Sequence, residues 1–409
     1  MDNDYKTGVS LLKQGFAPGN RELLQQITVG IDGLVQFIQD KYFIEYIADG
    51  GSKIKFVTGK AGSGKTHLLQ LLSMKAGDSG FTAVSFSARD IWLHDFKNIY
   101  SEIFRQSDFM NCLLFCAKKI AGELGYDYAS IPEGMTFADY LSSIGELDAL
   151  IKKEIRNQIR VMFLSNPLID NNFAVACSLL TGGILGHPVL ENSSRELLLA
   201  WLIGDKSVKL PALRSIGLSP AKITKYNARH MLRSLTEVHR IAQSPGIVVT
   251  VDNLENFIRS SSLDFIRYTK LKREDAYESI RELIDEIDSL RNIMFFYAFD
   301  RELLDDELNG IKSYQALWLR IQNEIVGNRF NGFADIIDLD RYASETYTHE
   351  ALLTMSRKIA DSVNSLSYCA DSISGERADT FISETKYAKT SLPRQVALAT
   401  VNAEVNYGD

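Results

Sequence analysis

Hydrophobic and polar positions follow two periods along the chain, and each period predicts one kind of element. Nearly continuous apolar runs of strand length predict buried parallel strands, whereas apolar positions three and four residues apart predict helices. The runs typical of strands are Ile54–Thr58, Thr82–Ser87, Gly246–Asp252, Ile293–Phe299 and Asp335–Leu339. The spacing predicts helices over Gly30–Tyr46, Tyr100–Phe115, Phe137–Phe163, Ser219–Gln243, Lys272–Arg291, Glu350–Asn364 and Pro393–Val405. Strands that alternate with helices predict an α/β fold with a parallel sheet.

The turn between the first strand and the next helix carries a motif with a physical purpose. It matches G-x-x-x-x-G-K-[ST] in full and continues into the opening of the helix, as Gly59, Lys60, Ala61, Gly62, Ser63, Gly64, Lys65, Thr66 and His67. Glycines let backbone N–H groups surround an anion at a helix N-terminus. Lys65 can reach the β- and γ-phosphates, and the Thr66 hydroxyl can ligate Mg²⁺. The motif therefore predicts a P-loop that binds ATP with Mg²⁺.

The strand that ends at Asp252 delivers a carboxylate to the C-terminal edge of the sheet. Asp252 is the candidate for the second Mg²⁺ ligand opposite Thr66, and the alternative is a carboxylate that caps a nearby helix. The next residue is Asn253, whose amide cannot accept a proton from water, and Glu255 follows two positions later. Either Glu255 activates the attacking water or hydrolysis is slow.

Far more residues separate Lys65 from Asp252 than one strand–helix–strand step requires. The excess predicts a large, mainly helical insertion at about 108–203, the usual place for partner-specific function on a conserved core. The predicted organisation is therefore a core begun by 1–107, the insertion 108–203, the rest of the core in 204–340, and a helical C-terminal part in 341–409.

Basic residues recur at helical spacing within the predicted helix Ser219–Gln243. They would lie on one face, and they are Lys222, Lys225, Arg229, Arg233 and Arg240. A row of cations can follow the phosphate backbone of double-stranded DNA. The alternative is a solvated face that pairs with the acidic helix around Glu274–Asp288.

Composition restricts the class of protein only loosely. The chain has 409 residues and a net charge of −7, which argues against a surface coated with nucleic acid but not against a local basic face. The N-terminus has no secretion signal pattern, and the longest apolar stretch, Phe173–Leu185, is too short to span a bilayer. We expect a cytoplasmic protein with no membrane contact.

The order of these motifs resembles the BREX-system ATP-binding proteins, the BrxD-like family of AAA+-type ATPases in bacterial anti-phage defence. The resemblance extends over nearly the whole chain, through GKAGSGKTHLL at 59–69, LHDFKNIY at 93–100, LRSIGLSPAKITKYNARHMLRSL at 213–235, GIVVTVDNLENF at 246–257, GIKSYQALWLRI at 310–321 and SLPRQ at 391–395. The family typically has Asp-Glu-Leu-Glu where this chain has Asp-Asn-Leu-Glu. That departure bears on the rate of hydrolysis rather than on nucleotide binding.

The resemblance implies further features of fold and site. It implies an AAA+-like P-loop NTPase core with a C-terminal helical, winged-helix-like lid, in which Arg394 is the sensor-two arginine that contacts the γ-phosphate. The sensor-one position would fall to Tyr297 or Asp300, and Arg320 and Arg329 are candidates for an arginine finger offered to a neighbouring subunit. Other defence-system proteins are the implied partners, and a homo-oligomer is compatible with such a finger.

Three classes of function follow. The first is an ATPase that acts on or beside DNA within a defence complex. The second is a regulatory switch or scaffold that binds ATP and hydrolyses little or none, which Asn253 favours. The third is a small-molecule kinase, which the long insertion and the distant C-terminal lid disfavour.

Overall fold

The computed structural model describes residues 3–259, 266–322, 330–366, 368–385, 388 and 390–402. Within these ranges, five parallel strands form one sheet in the order β2-β3-β4-β1-β5. The strands are β1 (Ser52–Gly59), β2 (Thr82–Ser87), β3 (Ile247–Asp252), β4 (Ile293–Asp300) and β5 (Ile336–Asp338). Each lies within a residue of the apolar run that predicts it, or extends that run by up to two residues. The predicted α/β fold with a parallel sheet is confirmed.

Helices cover both faces of this sheet. Before β1 lie α1 (Asn3–Lys13), α2 (Arg21–Ile27) and α3 (Asp32–Ile38), which continues as a π-helical segment (Gln39–Ile47); α4 (Lys65–Asp78) follows β1. Between β2 and β3 lie α5 (Phe96–Gln106), α6 (Phe109–Glu123), α7 (Phe137–Ser143), α8 (Ala149–Ile159), α9 (Asn171–Leu185), α10 (Asn192–Leu202), α11 (Leu210–Arg214) and α12 (Ala228–Ile241). The rest are α13 (Lys270–Glu286), α14 (Arg301–Asp305), α15 (Gln315–Ile321), α16 (Leu339–Thr346), α17 (His349–Asn364), α18 (Gly375–Glu384) and α19 (Leu392–Val401).

Two predicted helices are each split into two, so their predicted bounds are wrong. The prediction Tyr100–Phe115 covers α5 and α6, which are separated at Asp108, where the backbone is left-handed with φ 49°. The prediction Phe137–Phe163 covers α7 and α8, and Gly145 (φ 76°) lies in the turn between them. A left-handed residue ends a helix even where the apolar spacing continues past it, because that conformation interrupts the ladder of backbone hydrogen bonds.

The predicted helix Ser219–Gln243 is wrong over its first third, because α12 begins only at Ala228. Side chains that are distant in sequence bind backbone groups of this segment. The Ser219 N–H donates to the side chain of Asn172 (2.9 Å), and the Ala221 carbonyl accepts a hydrogen bond from the Trp201 indole (3.1 Å). These bonds compete with helix formation, as local polar side chains commonly do.

The buried apolar side chains form three clusters. One face of the sheet packs with α5, α6, α9 and α12, so the helical segment between β2 and β3 shares a core with the sheet. The other face packs with α3, the π-helical segment and α4. The third cluster joins α1 and α2 to α17, α18 and α19. The two ends of the chain therefore pack together, an arrangement that the sequence pattern does not indicate.

The buried side chain of His239 should make the free energy of unfolding depend on pH. It is fully buried on α12, with Nδ1 3.5 Å from the Cys112 sulfur, and burial lowers its pKa from 6.5 to about 4 despite the nearby Asp108 carboxylate. Below pH 6.5 His239 is protonated in the unfolded chain, whereas in the native state it stays neutral down to about pH 4. The free energy of unfolding should therefore fall by up to about 1.4 kcal/mol per pH unit across that window, and be unaffected by His239 above it.

Denaturant titrations over this pH range would measure the effect. His239→Gln should remove this part of the slope, whereas His230→Gln, a change at a half-exposed histidine of the same helix, should leave it. Equal slopes in the two variants would contradict the assignment.

Candidate functional site

The P-loop connects β1 to α4. β1 ends at Gly59 and α4 begins at Lys65, so the loop backbone lies at the helix N-terminus. Gly62 and Gly64 have φ values of 80° and 93°, which side chains other than hydrogen rarely allow. Gly62 is also confined sterically, since a Cβ there would lie 2.4 Å from the Cβ of Arg394. The loop conformation therefore requires these glycines.

Lys65 lies inside the loop with its ammonium almost fully enclosed. The Lys65 Nζ donates to the carbonyls of Gly59 (3.1 Å) and Lys60 (3.0 Å) and lies 2.7 Å from Oδ1 of Asp300. Asp300 ends β4, which lies between β1 and β3 in the sheet. This strand order brings the Asp300 carboxylate to the P-loop lysine.

Thr66 and Asp252 come together although they are far apart in sequence. The Thr66 hydroxyl donates to Oδ2 of Asp252 over 2.5 Å, and the Asn253 N–H donates to Oδ1 (2.8 Å). Burial raises the pKa of Asp252, partly offset by these two hydrogen bonds. A hydroxyl and a carboxylate are hard oxygen ligands, so this pair fits Mg²⁺, which binds through few protein oxygens and keeps several waters.

Asn253 links Ser87, at the end of β2, to Glu255 through two side-chain hydrogen bonds. Its backbone is left-handed (φ 62°), a conformation that asparagine tolerates better than most residues. Its Oδ1 accepts from the Ser87 hydroxyl (3.0 Å), and its Nδ2 donates to Oε1 of Glu255 (3.3 Å). The amide therefore holds the glutamate in a fixed orientation.

Glu255 is buried at the edge of the same cavity. Its Oε2 accepts from the Asp300 N–H (3.2 Å), and the Arg89 guanidinium lies 3.5 Å from Oε1. Burial, and next the Asp300 carboxylate, raise the pKa of Glu255 above its usual range. A carboxylate with a raised pKa is a better proton acceptor near neutral pH than an exposed one.

These groups line one wall of a cavity of about 410 Å³. The rest of the lining is mainly apolar and comes from the two ends of the chain, through Leu12, Phe16, Ile27, Val29, Ile31, Tyr347, Met355, Ile359 and Ala397. A cavity that combines apolar side chains with a few convergent polar groups is typical of a small-molecule site.

The C-terminal helix α19 is bound directly to the P-loop. The Ser391 N–H donates to the Ala61 carbonyl (3.1 Å), and the Asp340 carboxylate accepts from both the Lys60 N–H (2.8 Å) and the Ser391 hydroxyl (2.9 Å). Sequence reasoning missed Asp340. It lies two residues beyond β5, in the first turn of α16, whereas the acid at the end of that strand, the signal that singled out Asp252, is Asp338.

Arg394 and His67 also line the cavity. The Arg394 guanidinium lies 5.6 Å from the centre of the Phe16 ring, and its Nε is buried with no hydrogen-bond partner among the described residues. Burial lowers the pKa of His67 to about 4, and its Nε2 lies 2.9 Å from the Thr28 hydroxyl. That hydroxyl donates its proton to the Leu24 carbonyl (2.6 Å), so the neutral His67 ring donates to it.

The other candidates for the sensor-one position and the arginine finger are Tyr297, Arg320 and Arg329. Tyr297 is fully buried beside Phe56 and Phe295 in the core and does not line the cavity, unlike Asp300. Arg320 forms a two-pronged ion pair with Asp285 (2.5 and 2.7 Å). Arg329 lies outside the described residues.

The five basic candidates do not form one helical face, and that prediction is wrong. Lys222 and Lys225 precede α12. Arg229 pairs with Glu282 (2.6 Å) and Glu286 (2.8 Å) of α13, as the alternative interpretation expected. Arg240 pairs with Glu237 of its own helix, and Arg233 is partly buried.

Comparison with protein families gives one clear match. The family model of the BREX system ATP-binding protein BrxC/D matches residues 4–113 and 139–397, which include every cavity residue described above. Comparisons with curated proteins and with solved structures gave no match. Among the residues that the structure describes, no helix is long and apolar enough to cross a membrane.

Proposed function

The chain belongs to the BREX system ATP-binding proteins BrxC/D, and from this membership we propose that it is an AAA+-type ATPase of an anti-phage defence complex. The observation that carries the proposal is the meeting of Lys65 with Asp300 and of Thr66 with Asp252 at one cavity. These are the charged and hydroxyl groups that phosphoryl transfer needs, since its catalysis is mainly positioning and charge stabilisation.

The phosphates of ATP would lie along the P-loop backbone from Gly59 to Thr66. Lys65 would exchange its carbonyl partners for the β- and γ-phosphates, while Asp300 keeps the ammonium aimed at them as the sensor-one residue. Thr66 and Asp252 would hold Mg²⁺, which neutralises charge on the phosphates when it is bound.

Hydrolysis would use Glu255 as the group that accepts the proton of the attacking water. Its burial, its raised pKa and its position on the cavity wall support this role. Asn253 would position Glu255 rather than act on water, because an amide cannot take up the proton. The alternative function, an ATP-dependent switch or scaffold with little hydrolysis, is favoured by this same asparagine.

The apolar part of the cavity lining would hold the adenine base. Its walls come from the α1–α2 connection and from α17 and α19, which would act as the AAA+-like lid. Arg394 would turn its unpartnered guanidinium toward the γ-phosphate as the sensor-two arginine. The bonds from Ser391 and Asp340 to the P-loop support a lid that responds to the nucleotide.

Partners and DNA belong to the same proposal. Family membership supports other proteins of the defence system as partners. Duplex DNA would contact the exposed Lys222 and Lys225 rather than a continuous face of α12. A homo-oligomer that uses Arg320 as a finger would first have to break its ion pair with Asp285.

Steady-state ATP hydrolysis, measured with and without duplex DNA, tests the proposal. We expect phosphate release that requires Mg²⁺ and increases when DNA is added, with light scattering recording the subunit count in the same samples. ATP binding without hydrolysis in any of these conditions would favour the switch. Failure to bind ATP would contradict both functions.

A further inference from the structure

A second cavity of about 310 Å³ lies at the start of α5, the end of α10 and the segment 221–225. It shares no lining residue with the ATP site proposed above. Four lysines line it: Lys97, Lys206, Lys222 and Lys225. We call it the lysine pocket.

Lys97 is the unusual member of this group. Only 9% of its surface is exposed, yet its ammonium makes no ion pair or hydrogen bond within the described residues. Gly204 provides room for its stem, since a Cβ at that glycine would lie 3.0 Å from Cε of Lys97. Burial, and next the charge of Lys206, lower the pKa of Lys97, while the Asp95 and Asp205 carboxylates partly oppose the shift. The stem of Lys97 is therefore buried, and its ammonium reaches the pocket without a contact partner among the described residues.

The two acids of the lysine pocket lie near enough to raise the pKa of Lys97, but neither forms a contact ion pair with it. Asp95 caps α5 by accepting the N–H of Lys97 (3.0 Å), and Asp205 accepts the N–H of Ser207 (2.8 Å). The Ser207 hydrogen bonds lower the pKa of Asp205, so it stays ionised in this role. Four ammonium groups against two carboxylates leave the pocket with an excess of positive charge.

We propose that the lysine pocket binds a phosphate group, with the Lys97 ammonium as its anchor and Lys206 and Lys222 as further contacts. A multiply charged anion would relieve the repulsion among these lysines and give Lys97 the partner that it lacks. Lysine suits phosphate as a point charge that needs no fixed planar geometry. The phosphate can belong to a nucleic acid backbone or to a small phosphate compound, since both present the same oxygens.

Competitive acetylation of the full-length protein, read for each lysine by mass spectrometry, tests the proposal. Inorganic phosphate, compared with sodium chloride at equal ionic strength, should slow the labelling of Lys97, Lys206 and Lys222 by about threefold or more, as charge-assisted contacts would. The exposed Lys119 and Lys153 should not change. Because the signal is read at individual lysines, phosphate bound at the P-loop does not contribute to it.

The substitution Lys97→Met tests whether Lys97 binds phosphate or only stabilises the fold. It keeps the apolar stem and removes the ammonium, so Tm without phosphate should stay the same or rise, while the protection of Lys206 and Lys222 is lost. A lower Tm with protection retained would overturn the role of Lys97.

A second set of labelling reactions uses a short DNA duplex. Protection at a far lower phosphate concentration than inorganic phosphate needs, with steep dependence on salt, would identify a nucleic acid backbone as the source. Protection by inorganic phosphate alone would identify a small phosphate compound. Absence of protection by both probes would overturn the proposal. The labelling does not depend on ATP hydrolysis, so the ATP site and the lysine pocket can fail separately, while the DNA reactions also test the duplex contact proposed for Lys222 and Lys225.

Discussion

Glu255→Gln should reduce ATP turnover by about a hundredfold or more while ATP binding is preserved. General base catalysis typically contributes a factor of this size, and glutamine has the shape of glutamate without the proton affinity. The amide oxygen can still accept the hydrogen bond from the Asp300 N–H, but the amide nitrogen would then face the Asn253 and Arg89 donors. Thermal unfolding of the variant should therefore be measured alongside its turnover. Single-turnover phosphate release and ATP calorimetry on the same variant would measure the two effects.

Two comparisons make this result specific. Glu307→Gln makes the same chemical change at an exposed position and should leave turnover unchanged. Asn253→Ala should lower turnover less than Glu255→Gln, because it keeps the carboxylate and removes the hydrogen bond that orients it, together with the bond from Ser87. An unchanged rate in Glu255→Gln would exclude Glu255 as the base.

Lys65→Ala should weaken ATP binding at least tenfold, a loss of about 1.4 kcal/mol or more. The ammonium is the cation nearest to the P-loop backbone, and its loss removes a charge-assisted contact and leaves the Asp300 carboxylate facing the phosphates. Calorimetric titration with MgATP would measure the change.

Lys75→Ala is a suitable control, since it removes a lysine from the last turn of the same helix, away from the loop. Both variants should be compared by thermal unfolding without nucleotide, because Lys65 also pairs with Asp300. Unchanged ATP affinity in a folded Lys65→Ala protein would rule out the P-loop as the binding site.

The features that the sequence predicts well are those set by local pattern. β3 could be located because an unbroken apolar run demands burial on both faces of a parallel sheet. The P-loop could be located because its glycines and Lys65 are contiguous. Both depend on neighbours in sequence rather than on the packing of distant segments.

What the sequence does not predict depends on distant partners. Residues 219–227 are predicted to be helical, but Asn172 and Trp201 bind their backbone, and neither is near in sequence. The choice between Tyr297 and Asp300 required knowing which residue of β4 reaches the edge of the sheet. The apolar wall of the cavity required knowing that the two ends of the chain pack together.

The central claim is that ATP and Mg²⁺ bind together in the cavity formed by the P-loop, Asp252 and the two ends of the chain. Calorimetric titration of the wild-type protein with ATP, in excess Mg²⁺ and then in excess chelator, tests it most directly. We predict one ATP per chain and a clear loss of affinity when Mg²⁺ is removed, because Thr66 and Asp252 would then lack the cation that links them to the phosphates. Failure to bind ATP in the presence of Mg²⁺ would contradict the account.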